Sequence, residues 1–463
     1  MERWRQSCYG GLKLSELISA LSHALDMTEG QPPGHCVRCC WIGMQLADQL
    51  GLDSDARWEL YYTLLLKDLG CSSNAARICE LYGTDDLSFK RDFKWVNGSL
   101  GQVVRFLLQH TGRDEGLAKS FQRLMRIVRE GDHLANELIQ TRCERGATIA
   151  RDLGFSEAVA AGIHSLDEHW CGSGRPQGLA GEKIPLYSRI ALLAQVVDVF
   201  HTAAGAEAAL AEAHDRRGRW FDPQLVDALD AVAARPGFWQ TLADDELMQQ
   251  VLDLPPSDHE WTVDEACLDR IAAAFGQVVD TKSPYTAGHS ERVALYTDLI
   301  AEQLALPGEQ RRWLRRAALL HDIGKLGVSN SILDKPGKLD DEEWRQVQSH
   351  ARFTEDILSR IGAFAELAQV AGAHHERMDG QGYPRGLKDE QISLETRIIT
   401  TADIFDAITA ERPYRGAIPV PKALEMMAEN LHVAIDERCF EALKQALDRF
   451  EAGVVSVEQA RVD

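Results

Sequence analysis

At 463 residues the chain is too long for one ordinary hydrophobic core and suits two domains of roughly 200 residues each. Apolar residues make up 45% and charged residues 26%, and no stretch approaches the roughly 20 uninterrupted apolar residues of a membrane helix, which argues against a membrane-spanning chain. A formal charge of -21 argues against a binder of DNA or RNA duplexes, since such proteins present a basic surface to phosphate. If the substrate is a polyanion, its attraction must be local, and metal ions concentrate positive charge in that way.

From the first residue onward, apolar positions recur at three- and four-residue spacing and alternating runs are scarce, which predicts an all-α chain. The opening "MERWRQSCYGGLKL" lacks the apolar core of a signal peptide, so an intracellular, cytoplasmic protein is expected. Ten cysteines at irregular spacings agree with reduced thiols. Cys36, Cys39 and Cys40 would share one face of a helix, where burial as small apolar side chains is favoured over a metal or redox site. Pro255-Pro256 and clustered acids break the helical pattern between Val251 and Ala266. The predicted division is therefore two tandem helical bundle domains, residues 1–252 and 264–463.

The two halves can be laid on each other. "GHCVRCCWIGMQLADQLGL" from Gly34 parallels "GHSERVALYTDLIAEQLAL" from Gly288, pairing His35 with His289 and Arg38 with Arg292. "LLLKDLG" parallels "ALLHDIG", pairing Lys67 with His321 and Asp68 with Asp322. After a longer insert in the first half, "LDEHWCGSGRPQGL" from Leu166 parallels "HHERMDGQGYPRGL" from His374. Finally "SRIALLAQVVDVF" parallels "TRIITTADIFDAI", pairing Gln195 with Asp403. Four segments in one order indicate a duplication.

In the second half, histidines and aspartates stand where amphipathic helices place apolar residues. His289 shares a face with Val293, Tyr296 and Ile300; His350 follows Trp344 and Val347; His374 follows Leu367, Val370 and Ala371; Asp403 lies one turn after Ile399. His321 and Asp322 end the apolar run "WLRRAALL", with Lys325 one turn on. A lone inward histidine is best read as a hydrogen-bonded core residue. Five histidines and two aspartates converging in one bundle are different, because divalent metals offset the desolvation that each would otherwise suffer. Nitrogen and oxygen ligands without thiolate suit iron, manganese, zinc or nickel.

"HDIGK" at His321 to Lys325 and "HHERMDGQGYP" at His374 to Pro384, with His289 upstream, His350 between and Asp403 in "TADIFDAITAERPYR", resemble the HD-GYP branch of the HD phosphohydrolase superfamily. The resemblance covers roughly residues 268–450 and, weakened, residues 15–235. It implies an all-α core with a two- or three-metal centre, usually containing iron or manganese, which hydrolyses cyclic dinucleotides such as cyclic di-GMP. Carried over, His289, His321, Asp322 and Asp403 would hold one metal and His350, His374 and His375 the other, with Asp322 bridging. Members with a third metal carry a glutamate one turn before the first histidine, where this chain has Tyr285, so two ions are expected.

Such a pair activates water and clamps phosphoryl oxygens. Lys325 is the expected phosphate contact, and Arg412 and Arg415 are further candidates, with structural salt bridges nearly as favoured for either arginine. Gly380, Gly382, Tyr383 and Pro384 form a tight loop, which the resemblance makes a lip of the active site and a surface for protein partners. Hydrolysis of 3′3′-cyclic GMP-AMP, or an adaptor that binds without turnover, are the alternatives to cyclic di-GMP hydrolysis.

The first half keeps His35 and Asp68 but has Lys67, Arg142, Leu166, Asp167 and Gln195 at the other positions. Two of these put cations where metal ions should sit. The first half is thus expected to be non-catalytic, with packing, homodimerisation or binding of a regulatory ligand as its remaining roles.

Overall fold

The computed structural model describes residues 12–96, 100–112, 117–256, 263–411 and 416–451. Among these the regular structure is helical, with no β-strand and only isolated bridges such as Leu431 with Ile435. Among the described residues no helix is long and apolar enough to cross a membrane. The described residues divide into two compact units, one within residues 12–263 with 329–331, the other within residues 264–328 and 332–451.

In the unit holding residues 264–328, the His289–Gln303, Gly308–Leu320, Asp341–Leu358, Ala365–Gly372 and Leu394–Thr409 helices surround one core. Val293, Ile300, Leu314, Ala317, Leu367 and Ile399 are fully or almost fully removed from water there. The first helix begins after Gly288, whose φ of 67° suits the turn that reverses the chain. No side chain caps it from Gly288; instead the Asp280 carboxylate accepts from the Ser290 amide (3.1 Å) and hydroxyl (2.7 Å). This anchors the first turn and aims His289 inward. The helix of His350 starts on a capping box, with Asp340 accepting from the amides of Glu342 and Glu343 and the Glu343 carboxylate accepting from Asp340. One expectation fails on this helix: Trp344, placed inward by its spacing, is 46% exposed, because the first turns of the helix extend past the core.

The other unit repeats the plan with the His35–Leu50, Ser54–Leu66, Leu117–Asp152 and Leu186–Ala204 helices. Gly34 has φ 85°, and Asp26 accepts from the amides of Gly34 (2.7 Å) and Cys36 (2.8 Å), as Asp280 does for Ser290. Cys36, Cys39 and Cys40 are wholly buried on the first of these helices. The insert adds a small core of its own, including Ile78, Tyr82, Phe89, Phe106 and Leu138.

Candidate metal centre

Asp322 is the hub. One carboxylate oxygen, Oδ2, lies 3.3 Å from Nε2 of His289 and 3.3 Å from Nε2 of His321. The other, Oδ1, lies 3.4 Å from Nε2 of His350 and 3.6 Å from Nε2 of His374. Asp403 Oδ1 completes the first group at 3.4 Å from His289 and 3.9 Å from His321. His375 joins His350 and His374, their ligand atoms lying within 4.8 Å of one another. The structure therefore brings together all seven side chains that the sequence singled out, on two sides of one carboxylate.

The backbone fixes which imidazole nitrogen faces inward. Nδ1 of His321 donates to the Ala318 carbonyl (2.6 Å), Nδ1 of His374 to that of Ala371 (2.6 Å), and Nδ1 of His350 to that of Val347. With Nδ1 used, Nε2 points to Asp322 with a lone pair. His289 has a different anchor: its Nδ1 donates to Asp406 Oδ2 at 2.7 Å, and Asp406 is held by Arg292 through Nε (2.6 Å) and Nη2 (3.1 Å). Asp406 was not among the residues singled out from the sequence. A signal was available, since Asp406 and Asp198 occupy matching places in "DIFDAI" and "VVDVF" even though Asp403 has become Gln195.

Electrostatics follow from burial and this arrangement. Burial holds His350 near 4 and His374 near 3, the latter also by the charge of His321, so both imidazoles are neutral. Burial pushes His289 down as well, but its bonds to Asp322 and Asp406 outweigh it and raise this imidazole to about 9. Burial also opposes ionisation of Asp322, yet His321 and Lys325 keep it well below the usual carboxylate range. Among the described residues, Nε2 of His321 and Oδ1 of Asp322 are buried without a hydrogen-bond partner, and Nε2 of His289 meets only the carboxylates of Asp322 and Asp403 at 3.3 and 3.4 Å. Orphaned buried polar atoms are costly, about 1–3 kcal/mol each, and ones that converge from imidazole and carboxylate fit divalent cations.

Close packing holds the hub in place. A Cβ on Gly324 would fall on the His350 carbonyl oxygen, so only glycine lets the segment after Asp322 lie against that helix. Thr354 then links both, accepting from the Gly324 amide (3.0 Å) and donating to the His321 carbonyl (2.9 Å). Lys325 directs its ammonium to Asp322 Oδ2, with its side chain 19% exposed. In the loop, the Glu376 carboxylate accepts from the Arg385 (2.7 Å) and Leu387 (2.8 Å) amides. Gly380 has φ 75°, and a Cβ on Gly382 would collide with the backbone of Glu376 and Arg377. Tyr383, joined to Pro384 by a cis bond, lays its ring 4.8 Å from that of His375, so the loop does border the cluster. Arg412 and Arg415 lie outside the described residues.

The matching place in the other unit is filled by the chain itself. His35 Nδ1 donates to Asp198 (2.6 Å), which Arg38 holds through Nε (2.5 Å) and Nη2 (3.2 Å), the same scaffold as His289, Asp406 and Arg292. Where His321 stands in the repeat, Lys67 puts its ammonium 3.1 Å from His35 Nε2 and against Asp68. Burial and the Lys67 charge hold His35 near 4, a neutral acceptor for that ammonium. Where His350 and His375 stand, Arg142 is paired with Asp167. The insert adds Lys94, 3.0 Å from Glu29. His169 is accounted for separately, stacked 4.1 Å from Trp220.

The model of the HD domain matches residues 114–225 and 274–439, more than half of the chain. The chain is 60% identical over 435 residues to 3′3′-cGAMP-specific phosphodiesterase 3 of Vibrio cholerae, covering 94% of this chain and 95% of that one. It is 38% identical over 198 residues to the cyclic di-GMP phosphodiesterase response regulator RpfG of Xanthomonas campestris, covering 42% of this chain and 51% of the relative. Among solved structures, a cyclic GMP-AMP specific phosphodiesterase of V. cholerae aligns with a TM-score of 0.65 and 55% identity, over 94% of this chain and 98% of that one. With the motif, its geometry and this likeness along nearly the whole length, the chain belongs to the HD domain family, within its HD-GYP phosphodiesterases.

Proposed function

We propose that this protein hydrolyses 3′3′-cyclic GMP-AMP at the cluster around Asp322, with residues 264–463 as the catalytic domain and residues 1–252 as a non-catalytic duplicate. The observation that carries the chemistry is the sharing of one buried carboxylate between two groups of inward-facing imidazoles. His289, His321, Asp322 and Asp403 would hold one divalent ion, and Asp322, His350, His374 and His375 the other; iron or manganese would suit the donors best. Such a pair would supply Lewis acidity toward phosphoryl oxygens and activate water near neutral pH.

The protein's own groups do the rest. Backbone carbonyls fix the tautomers of His321, His350 and His374, and Asp406 fixes that of His289. Lys325, partly exposed beside Asp322, balances the buried carboxylate and is placed to meet a phosphate oxygen. Cyclic GMP-AMP is preferred over cyclic di-GMP because likeness to the enzyme named for it runs through both halves, whereas the cyclic di-GMP phosphodiesterase of X. campestris matches under half of the chain.

The test is a hydrolysis panel of the purified protein with iron or manganese against 3′3′-cyclic GMP-AMP, cyclic di-GMP and cyclic di-AMP. Preferential linearisation of the first is expected. Preference for cyclic di-GMP would return the assignment to that substrate, and no turnover of any would favour a binding adaptor.

A further inference from the structure

Beside the metal centre lies an open depression of about 550 Å³, lined by Pro284, Tyr285, Arg292, Tyr296, Thr409 and Glu411, among others. Its inner wall is Asp406, the carboxylate that anchors His289. We propose that this depression is the subsite for the guanine base of the cyclic dinucleotide, stacked on Tyr285 and read by the Glu411 carboxylate. The inference rests on the function proposed above and specifies how that site selects its substrate.

Position comes first. His289 turns one ring nitrogen to Asp406 at 2.7 Å and the other to Asp322 and Asp403 at 3.3 and 3.4 Å. The wall of the depression is thus one imidazole ring away from the ligand cluster. In the proposed pose the ribose spans that separation, with phosphate at the cluster and base in the depression.

The lining then limits what can bind. Tyr285 stands where members with a third metal carry glutamate, and the residue is 37% exposed and borders the depression. Tyr296 is fixed by edge-on contact with Phe405, centroids 4.9 Å apart. Arg292 is no phosphate trap: Nε and Nη2 are committed to Asp406 and Nη1 donates to the Ala287 carbonyl at 2.8 Å. It offers a held guanidinium plane, which stacks on bases as aromatic rings do.

Among the described lining residues Arg292 and Asp406 offset each other, which leaves the Glu411 carboxylate to set the charge of the depression, disfavouring an anion and favouring a flat neutral group with paired N–H donors. Guanine has two adjacent donors on its Watson–Crick edge; adenine has one donor beside an acceptor that a carboxylate repels.

The test uses the full-length, metal-loaded protein and its Tyr285→Ala, Tyr285→Phe and Glu411→Gln variants. KM and kcat are measured for 3′3′-cyclic GMP-AMP and cyclic di-AMP, with bound metal counted in each variant. Stacking on one aromatic ring is worth about 1–3 kcal/mol, so Tyr285→Ala should raise KM for cyclic GMP-AMP about tenfold at unchanged metal content, and Tyr285→Phe should restore it. Glu411→Gln should lower the preference for cyclic GMP-AMP over cyclic di-AMP about tenfold in kcat/KM. An active unsubstituted protein whose KM and preference survive both Tyr285→Ala and Glu411→Gln overturns the base subsite and leaves the proposed function standing. Bis(p-nitrophenyl) phosphate carries no base, so failure of the unsubstituted protein to cleave either it or any cyclic dinucleotide overturns the function itself.

Discussion

The two buried pockets of this chain share a scaffold and differ in what neutralises it. Both begin with a glycine of positive φ and a histidine whose Nδ1 is held by an aspartate, itself clamped by an arginine one turn after the histidine. In the His289 pocket Nε2 of His321 and one Asp322 oxygen are left without hydrogen-bond partners among the described residues. In the His35 pocket the Lys67 ammonium reaches both His35 and Asp68, and Arg142 meets Asp167. A protein cation takes the place that a diffusible one needs. If His321 is a metal ligand as proposed, one substitution at its position would both remove a ligand and supply the countercharge, so loss of the metal site need not unfold such a domain.

The largest expected effect is at the shared carboxylate. Asp322→Ala should reduce phosphodiesterase activity to background and lower bound metal, because both ions lose a ligand, whereas Asp68→Ala should leave metal content unchanged and lower thermal stability instead. Near-normal turnover with full metal content in Asp322→Ala would remove the site assignment. Next in size is Lys67→Met. Lys67 and Asp68 are 3% and 0% exposed, so removing one partner strands a buried charge, at a cost of about 3–5 kcal/mol. Denaturant unfolding would show it, and an unchanged midpoint would mean that Lys67 does not replace a metal ion in this way.

A matched pair then sharpens the contrast. Asp406→Asn should weaken metal binding about 10–100-fold by releasing His289, as loss of an outer partner of a ligand does. Asp198→Asn, its counterpart, should leave metal affinity as it was; equal losses in a metal titration would mean that both pockets bind. Elemental analysis after anaerobic purification should count two ions per chain, and three would show that Tyr285 does not exclude the third. The smallest effect is expected from chelation, which should end turnover while leaving most of the helical circular dichroism, since each unit has a large apolar core. Cooperative unfolding on chelation would make the centre structural as well.

Much of this was legible in the residues alone, because periodicity and duplication are properties of the chain order. Inward positions at helical spacing gave the all-α fold, the same spacing carrying histidine and aspartate pointed to a polar cluster, and the resemblance named the seven candidate ligands, which the fold brings together around Asp322. The repeated segments likewise marked Lys67 as a cation at the place that His321 takes in the other half. Trp344 went astray because spacing specifies a face and not where the core ends along the helix.

What only the tertiary structure decided are relations between side chains far apart in sequence. The pairing of His289 with Asp406, 117 residues on, fixes a tautomer that no local pattern encodes. That Lys67 reaches both His35 and Asp68, that Lys94 of the insert meets Glu29, and that Tyr285 and Glu411 border one depression depend on how helices close around a core. Helical periodicity comes from the backbone's own hydrogen bonds and is written residue by residue, whereas the partner of a buried charge is chosen by packing, after distant segments have met.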